Sequence, residues 1–385
     1  MWISTTTAEN GGRQVVKNAT FNKDLTWETS EQSNFGLDMG LFENKVTFSC
    51  DYFIKMTMDL LAKPEVVSWT VGEIPFYNVG NVLNTGIEFD LGYSNHDNTF
   101  KYDINLIASY LKNKVTDSEA ALLPGYVLFS GRQHTVFEEG QPAWYFQGYQ
   151  VDGIFQSWEE VNNYTFTDPN TGVESLIQPD AQPGDPIIRD IAGGYDSQGN
   201  PLPDGVITTA DYTYLGKPLP TWTFGLNFNY QYKGFDAGIF LYSEIDKTIF
   251  NALTRDDRTY YNRPARFYTE RWTESNHTNE FIRATFENTG GYAFGHNSLF
   301  FEDGSFLRIK NVQLGYAIPE NVLQKIKLSK IRIYLSVNNL YTLTNYSGSD
   351  PEVGQTQENN YYSYGVDMGF YPSAKQYLAG VTVTF

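Results

Sequence analysis

The chain has 385 residues, with 27 Lys and Arg against 45 Asp and Glu, a formal net charge of −18. That balance excludes a general nucleic-acid binder, which needs a basic surface for phosphates. Aromatic residues make up 16% of the chain, too many for intrinsic disorder, and no run approaches the roughly 18 apolar residues of a membrane helix, which leaves a membrane β-barrel open because its strands alternate in polarity.

Strand-like stretches follow one another along the chain. The first covers 27–42. In 46–60, Val46, Phe48, Cys50, Tyr52, Ile54, Met56, Met58 and Leu60 share one face, and Thr47, Ser49, Asp51, Phe53, Lys55, Thr57 and Asp59 share the other. A period of two is the mark of a strand. Its length is unusual: soluble strands run to about 5–6 residues, while a tilted membrane strand needs about 9–11.

The pattern recurs. In 83–93, Leu83, Ile87, Phe89, Leu91 and Tyr93 oppose Asn84, Gly86, Glu88, Asp90 and Gly92, with Thr85 the exception. In 100–110, Phe100, Tyr102, Ile104, Leu106, Ala108 and Tyr110 align. In 222–232, Trp222, Phe224, Leu226, Phe228, Tyr230 and Tyr232 oppose Thr223, Gly225, Asn227, Asn229 and Gln231. Stretches 235–250, 305–318, 331–343 and 375–385 bring the predicted strands to nine. In 305–318, Arg308 and Lys310 fall on the face of Val312, Leu314 and Tyr316. Either that half lies beyond the hydrocarbon band or the strand contains a bulge.

Connections alternate in length. Those at 43–45, 94–98 and 233–234 are short, and 319–330 is moderate with room for a helical turn. Those at 61–82, 114–220, 251–304 and 344–374 are long. Short turns on one side and long loops on the other is the layout of an outer-membrane barrel, the short side being periplasmic. The stretch 114–220 is too long to be structureless and is expected to fold as an external excursion. The expected fold class is all-β: a partial antiparallel transmembrane β-barrel of about nine long strands with long extracellular loops. The alternative is a secreted all-β protein that binds or cleaves glycans and buries the same apolar faces in a core.

Catalytic and metal chemistry is sparse. The single cysteine, Cys50, excludes an intramolecular disulfide and a cysteine-based zinc site. His96, His134, His277 and His296 show no ligand spacing. The adjacent acids Glu138–Glu139, Glu159–Glu160 and Asp256–Asp257 do not suit a glycosidase, which holds two carboxylates about 5–10 Å apart across a sugar. Neither G-x-S-x-G nor H-E-x-x-H occurs, and no enzyme activity is expected. The opening MWISTTTAENGGRQ does not show the basic-then-apolar layout of a secretory leader.

The stretch SFLRIKNVQLGYAIPENVLQKIKLSKIRIYLSVNNLYTLTNYSGSDPEV (305–353) resembles the C-terminal part of SusC/RagA-type TonB-dependent transporters. Further matching stretches are LTWETSEQSNFGLDMGLF (25–42), DYFIKMTMDLL (51–61), GNVLNTGIEFDLGY (80–93) and YLGKPLPTWTFGLNFNYQYKGFD (214–236). The resemblance implies a plugged barrel of about 22 strands in the outer membrane of Bacteroidota. It also implies import of an oligosaccharide or peptide, a SusD-like surface lipoprotein on the outer face, and energy from the TonB complex through an N-terminal box. Against that pattern, the plug, the box and the earlier strands are missing, and 1–24 fits poorly. The expectation is that 25–385 is the C-terminal portion of such a barrel, with 114–220 external.

Residue assignments follow from these readings. Asp51, Lys55, Glu88, Asp90, Asn227, Asn229, Asp236 and Glu244 are expected to face the lumen, and the surrounding lipid is the partner of the other face. Trp144, Tyr145, Tyr149, Trp158, Tyr195, Tyr260 and Tyr261 are candidates for stacking on a ligand or meeting a protein partner. Tyr377, Val381, Val383 and Phe385, on one face of a strand ending in an aromatic, resemble the signal read by the outer-membrane insertion machinery. No cofactor is expected, with one weaker alternative: Asp190, Asp204 and Asp211 sit where the family often has a D-x-N-G-D-G-type loop resembling a calcium site.

Overall fold

Alternating polarity drives nine long strands into one antiparallel meander, each hydrogen-bonded to its neighbours in chain order. They are β1 (Thr29–Leu41), β2 (Val46–Met58), β3 (Gly80–Asn95), β4 (Phe100–Ser118), β5 (Trp222–Tyr232), β6 (Phe235–Ile245), β7 (Phe306–Ala317), β8 (Lys330–Thr344) and β9 (Gln376–Thr384). The computed structural model describes residues 3–7, 13–17, 22–62, 76–97, 99–118, 127–128, 132–133, 135–254, 265–285, 297–324, 328–354 and 363–385. Every predicted strand is present. β4 runs on to Ser118, and the stretch predicted as 235–250 divides. Asp246 has φ +60°, which ends β6 and starts a separate short strand, Thr248–Asn251.

The short turns follow from local chemistry. Lys233 and Gly234 have φ +46° and +87° between the paired residues Tyr232 and Phe235. Two positive φ angles in a two-residue loop match the right-handed twist of the flanking strands. Between β1 and β2, Phe42, Glu43 and Asn44 all take positive φ. The moderate connection contains the helical turn Glu320–Leu323, whose Leu323 is buried.

A bulge explains the irregular phase of β7. Ile309 pairs with Leu241 and Asn311 with Phe240 across β6, so Lys310 is an inserted residue. Across β8, Ile309 pairs with Tyr341 and Asn311 with Asn338, so Lys310 faces Asn339–Leu340, and Asn339 has φ +51°. The insertion resets the alternation. Leu307 and Ile309 before it, and Val312, Leu314 and Tyr316 after it, then share the apolar face.

Most buried apolar side chains gather among the long connections, and those on the sheet, Val82, Val115 and Phe306, lie near the long-loop ends of their strands. One cluster joins Phe146, Phe250, Ala252, Phe300 and Val366, drawing on three different connections. Another joins Tyr149, Val151, Ile177, Ile188 and Ile207. Within the excursion, Tyr145–Tyr149 lies between Thr135–Val136 and Tyr212–Gly216 in a small sheet. The helix Trp158–Asn163 is capped by the Ser157 hydroxyl, which accepts from the Glu160 N–H.

Candidate functional site: the two faces of the sheet

Register fixes what each face presents. One row across the sheet reads Met39, Phe48, Leu91, Leu106, Leu226, Leu241, Ile309 and Tyr341, each paired with the next. No polar side chain interrupts it from β1 to β8. None of these side chains is buried, Met39, Leu91, Leu106 and Tyr341 are exposed, and Phe35, Leu314, Leu335 and Leu343 on the same face are 67%, 59%, 60% and 60% exposed. So large an exposed apolar surface marks a membrane or protein contact. A soluble sandwich would have buried it.

Aromatic residues band the short-turn end of this face. Phe100 stacks on Tyr232 at 4.2 Å, Phe235 packs on Tyr316 at 4.5 Å, and Tyr93 packs on Tyr102 at 5.6 Å. Toward the long-loop end, Tyr110 meets Trp222 at 4.9 Å. Rings that are apolar in body and polar at the tip suit the two boundaries of a bilayer.

The opposite face is polar. Asp51 pairs with Glu88, Ser49 with Asp90 and Lys55 with Asn84. Asn227 lies between Asn105 and Phe240, and Asn229 between Asp103 and Gly238. Asp236 receives the Arg332 guanidinium through Nε at 2.9 Å. Glu244 accepts from Lys247 at 2.5 Å and from the Tyr242 hydroxyl at 2.7 Å. The structure therefore brings all eight of these residues to one side of the sheet. Asp38, Asp51, Glu88 and Asp90 line a concavity of about 370 Å³ there, and a larger one of about 690 Å³ at the short-turn end holds Lys101, Lys233, Lys330 and Arg332.

A further group on this face carries no advance assignment. Arg308, 2% exposed, donates through Nε to Thr342 at 2.8 Å and through Nη2 to Asp350 at 2.5 Å, and it also binds Glu352. Lys310 donates to both oxygens of Glu352 at 2.6 and 2.8 Å. Burial pushes the Asp350 carboxyl up, but Arg308 and the N–H groups of Ser373 and Glu352 more than offset it, and the net shift is downward. The signal in the sequence was the pair of cations out of phase on β7, with an acidic DPE at 350–352 to meet them.

The loop aromatics divide. Tyr145 and Tyr149 are 5% and 4% exposed, and are core residues rather than contact surface. Tyr145 donates to Glu138 at 2.6 Å, and burial, followed by that carboxylate, pushes its hydroxyl pKa well up. Trp144 packs on Phe137 at 5.1 Å. Trp158 and Tyr195 are well exposed. Tyr260, Tyr261, His134, His296, Asp256 and Asp257 lie outside the described residues.

Asp190, Asp204 and Asp211 brace a turn. Asp211, fully buried, accepts from the N–H groups of Ile191 at 2.8 Å, Ala192 at 3.0 Å and Thr208 at 2.7 Å. Asp190 accepts from Gly205 at 2.6 Å, and Asp204 from Val206 at 3.0 Å. Burial first, then the neighbouring Asp211 and Asp204, raises the Asp190 pKa. Among the described residues no group of three His, Cys, Asp or Glu side chains could hold a metal ion. His96 contacts Asp103 at 2.9 Å, and His277 stacks on Trp272 at 5.8 Å.

Known proteins share this arrangement. TonB-dependent receptor P3 of Formosa agariphila is 30% identical over 377 residues, covering 94% of this chain and 35% of the relative. TonB-dependent receptor SusC of Bacteroides thetaiotaomicron is 23% identical, covering 95% of this chain and 33% of the relative. The chain thus spans about a third of the length of these relatives. The structure of the RagAB peptide transporter superposes on all of this chain and 38% of its own, with a TM-score of 0.71 and 24% identity. The family model described as TonB dependent receptor-like, beta-barrel matches residues 3–340. With that match, and a sheet whose apolar face is exposed, the chain belongs to the TonB-dependent receptor β-barrel family of the outer membrane.

Proposed function

We propose that these nine strands form part of the wall of an outer-membrane importer driven by TonB, with an oligosaccharide or peptide as cargo. The observation that carries this reading is the row from Met39 to Tyr341, apolar and nowhere fully buried, backed by a polar face. In this reading the apolar row meets lipid, and Asp51, Lys55, Glu88, Asp90, Asn227, Asn229, Asp236 and Glu244 line the path. Residues 25–385 are barrel wall, with the excursion 114–220 outside the cell. A SusD-like lipoprotein is the partner assigned to the long-loop side, where Trp158 and Tyr195 stand exposed. Tyr377, Val381, Val383 and Phe385 are assigned to membrane assembly; Tyr377 is 74% and Phe385 90% exposed. Peptide is the cargo named for RagAB, and oligosaccharide is retained beside it.

The test is fractionation followed by uptake. The expected result is recovery from outer membranes with detergent and, for the receptor in which these strands form part of the wall, uptake of a labelled peptide or oligosaccharide mixture that stops when TonB is deleted. Recovery as a soluble secreted protein, or uptake indifferent to TonB, contradicts the reading.

A further inference from the structure

Within the β8–β9 connection, Val366 and Asp367 pair in parallel with Phe250 and Asn251, whereas residues 350–353 are held against the polar face of the sheet by charge. Three cations meet them, two from β7 and one, Lys247, from just beyond β6. Arg308 binds Asp350 and Glu352, Lys310 binds Glu352, and Lys247 donates to the Pro351 carbonyl at 2.8 Å. Lys247 is also paired with Glu244 at 2.5 Å. Three cations thus face three carboxylates, Glu244, Asp350 and Glu352, in a cluster that balances.

The same Asp350 closes the connection on itself. Its carboxylate accepts from the Ser373 N–H at 2.8 Å and from the Glu352 N–H at 2.9 Å, so the outgoing and returning limbs share one anchor. Val353, 4% exposed, is packed with Ile249 and Tyr346 beneath the cluster. Tyr346 donates to Asp367 at 2.5 Å, tying the limbs a second time.

Arg308 is suited to this task by shape. Its Nε, Nη1 and Nη2 engage Thr342, Glu352 and Asp350 at once. A guanidinium offers donors in a fixed planar fork, whereas an ammonium is a point charge on a flexible stem. Removing one partner of a buried pair leaves an uncompensated charge, so such a cluster holds or releases as a unit.

We propose that this cluster is a latch that makes the β8–β9 connection part of the lumen lining, with Arg308 as the positioning residue. The proposal rests on the polar face being the lumen. The latch is tested apart from that reading, because the arginine scan of the two faces given below does not touch it. When the latch is intact, Asp350 and Glu352 are spent on the wall, and residues 350–353 lie against the polar face. When it is broken, residues 350–353 lift off the wall and Val353 is uncovered, while the pairing of Val366 and Asp367 with Phe250 and Asn251 remains.

The experiment uses the receptor in outer membranes, carrying Val353→Cys in a Cys50→Ser background, and a membrane-impermeant maleimide. Labelling is expected to be slow with the latch intact and at least tenfold faster in Arg308→Lys, which keeps the charge but loses the fork. Glu352→Gln changes only the connection and should also speed labelling. Both variants should keep parental surface levels and heat-modifiable gel migration. Parental labelling rates in assembled Arg308→Lys or Glu352→Gln receptor would overturn the proposal. Loss of barrel assembly in Glu352→Gln would overturn it too, because the cluster would then be a folding element of the wall.

Discussion

Asp51 on β2 stands directly opposite Glu88 on β3, so two carboxylates share one pair position on the polar face. Asp38 and Asp90 line the same concavity. Like charges placed opposite each other destabilise a sheet, by an amount comparable to the roughly 0.2–1 kcal/mol of favourable cross-strand pairs. Such a pair is tolerable where water fills the space between the side chains. Glu88→Gln should therefore raise the temperature at which the folded band converts on a heat-modifiability gel, and Glu88→Lys should raise it further. A fall in both variants would show that the two carboxylates do not repel across this pair.

The Lys233–Gly234 turn makes a second prediction. Gly234 has φ +87°, and a Cβ there would stand 2.8 Å from the Ala317 carbonyl oxygen, a backbone atom that cannot swing aside. Left-handed backbone costs an L-residue about 1–2 kcal/mol, so Gly234→Ala should lose at least that much in urea unfolding from detergent micelles. Lys233→Asn should be neutral or stabilising, since Asn accepts positive φ readily. Equal losses from both would remove the turn geometry as the cause.

Acidification should loosen the β8–β9 connection. The Asp350 carboxyl lies below its ordinary value because Arg308 and two backbone N–H groups prevail over burial. A lowered folded-state pKa contributes stability that is complete above the unfolded value of about 3.9 and is lost as pH falls through the folded value. Hydrogen-exchange protection of residues 346–353, corrected for intrinsic rates, should hold from pH 7 to about 5 and fall below about 4. Asp350→Asn should show lower protection with a flatter profile. Protection that rises on acidification would contradict the sign.

The fold was readable because a sheet with one lipid face and one wet face writes its geometry into every second residue. Trp222 to Tyr232 alternates without a break and Val46 to Met58 with Phe53 as its one exception, and both are strands at those bounds or very near them. β7 was harder, because one inserted residue, Lys310, shifts the phase and places Arg308 on what looks like the apolar side. The sequence left a bulge and an end of the hydrocarbon band equally open, and cross-strand register decides for the bulge. Loop aromatics were legible only as a composition. Tyr149 and Tyr195 look alike in sequence, but Tyr149 is packed edge-on against Tyr212 at 4.7 Å while Tyr195 is 75% exposed. Their fates depend on contacts between distant connections, which no local period encodes. The latch at Arg308 has the same origin, its carboxylates lying 42 and 44 positions away.

The most direct measurement concerns two neighbouring residues of β5. Leu226 pairs with Leu106 and Leu241 on the apolar row, while Asn227 pairs with Asn105 and Phe240 on the polar face. An arginine facing lipid near the bilayer midplane costs roughly 2–4 kcal/mol, and an arginine facing a wet lumen stays hydrated. Leu226→Arg should therefore abolish heat-modifiable, detergent-extractable receptor in the outer membrane, while Asn227→Arg should leave it at the parental level. Equal damage from the two substitutions, or greater damage from Asn227→Arg, would contradict the assignment of the apolar face to lipid and of the polar face to the transport path.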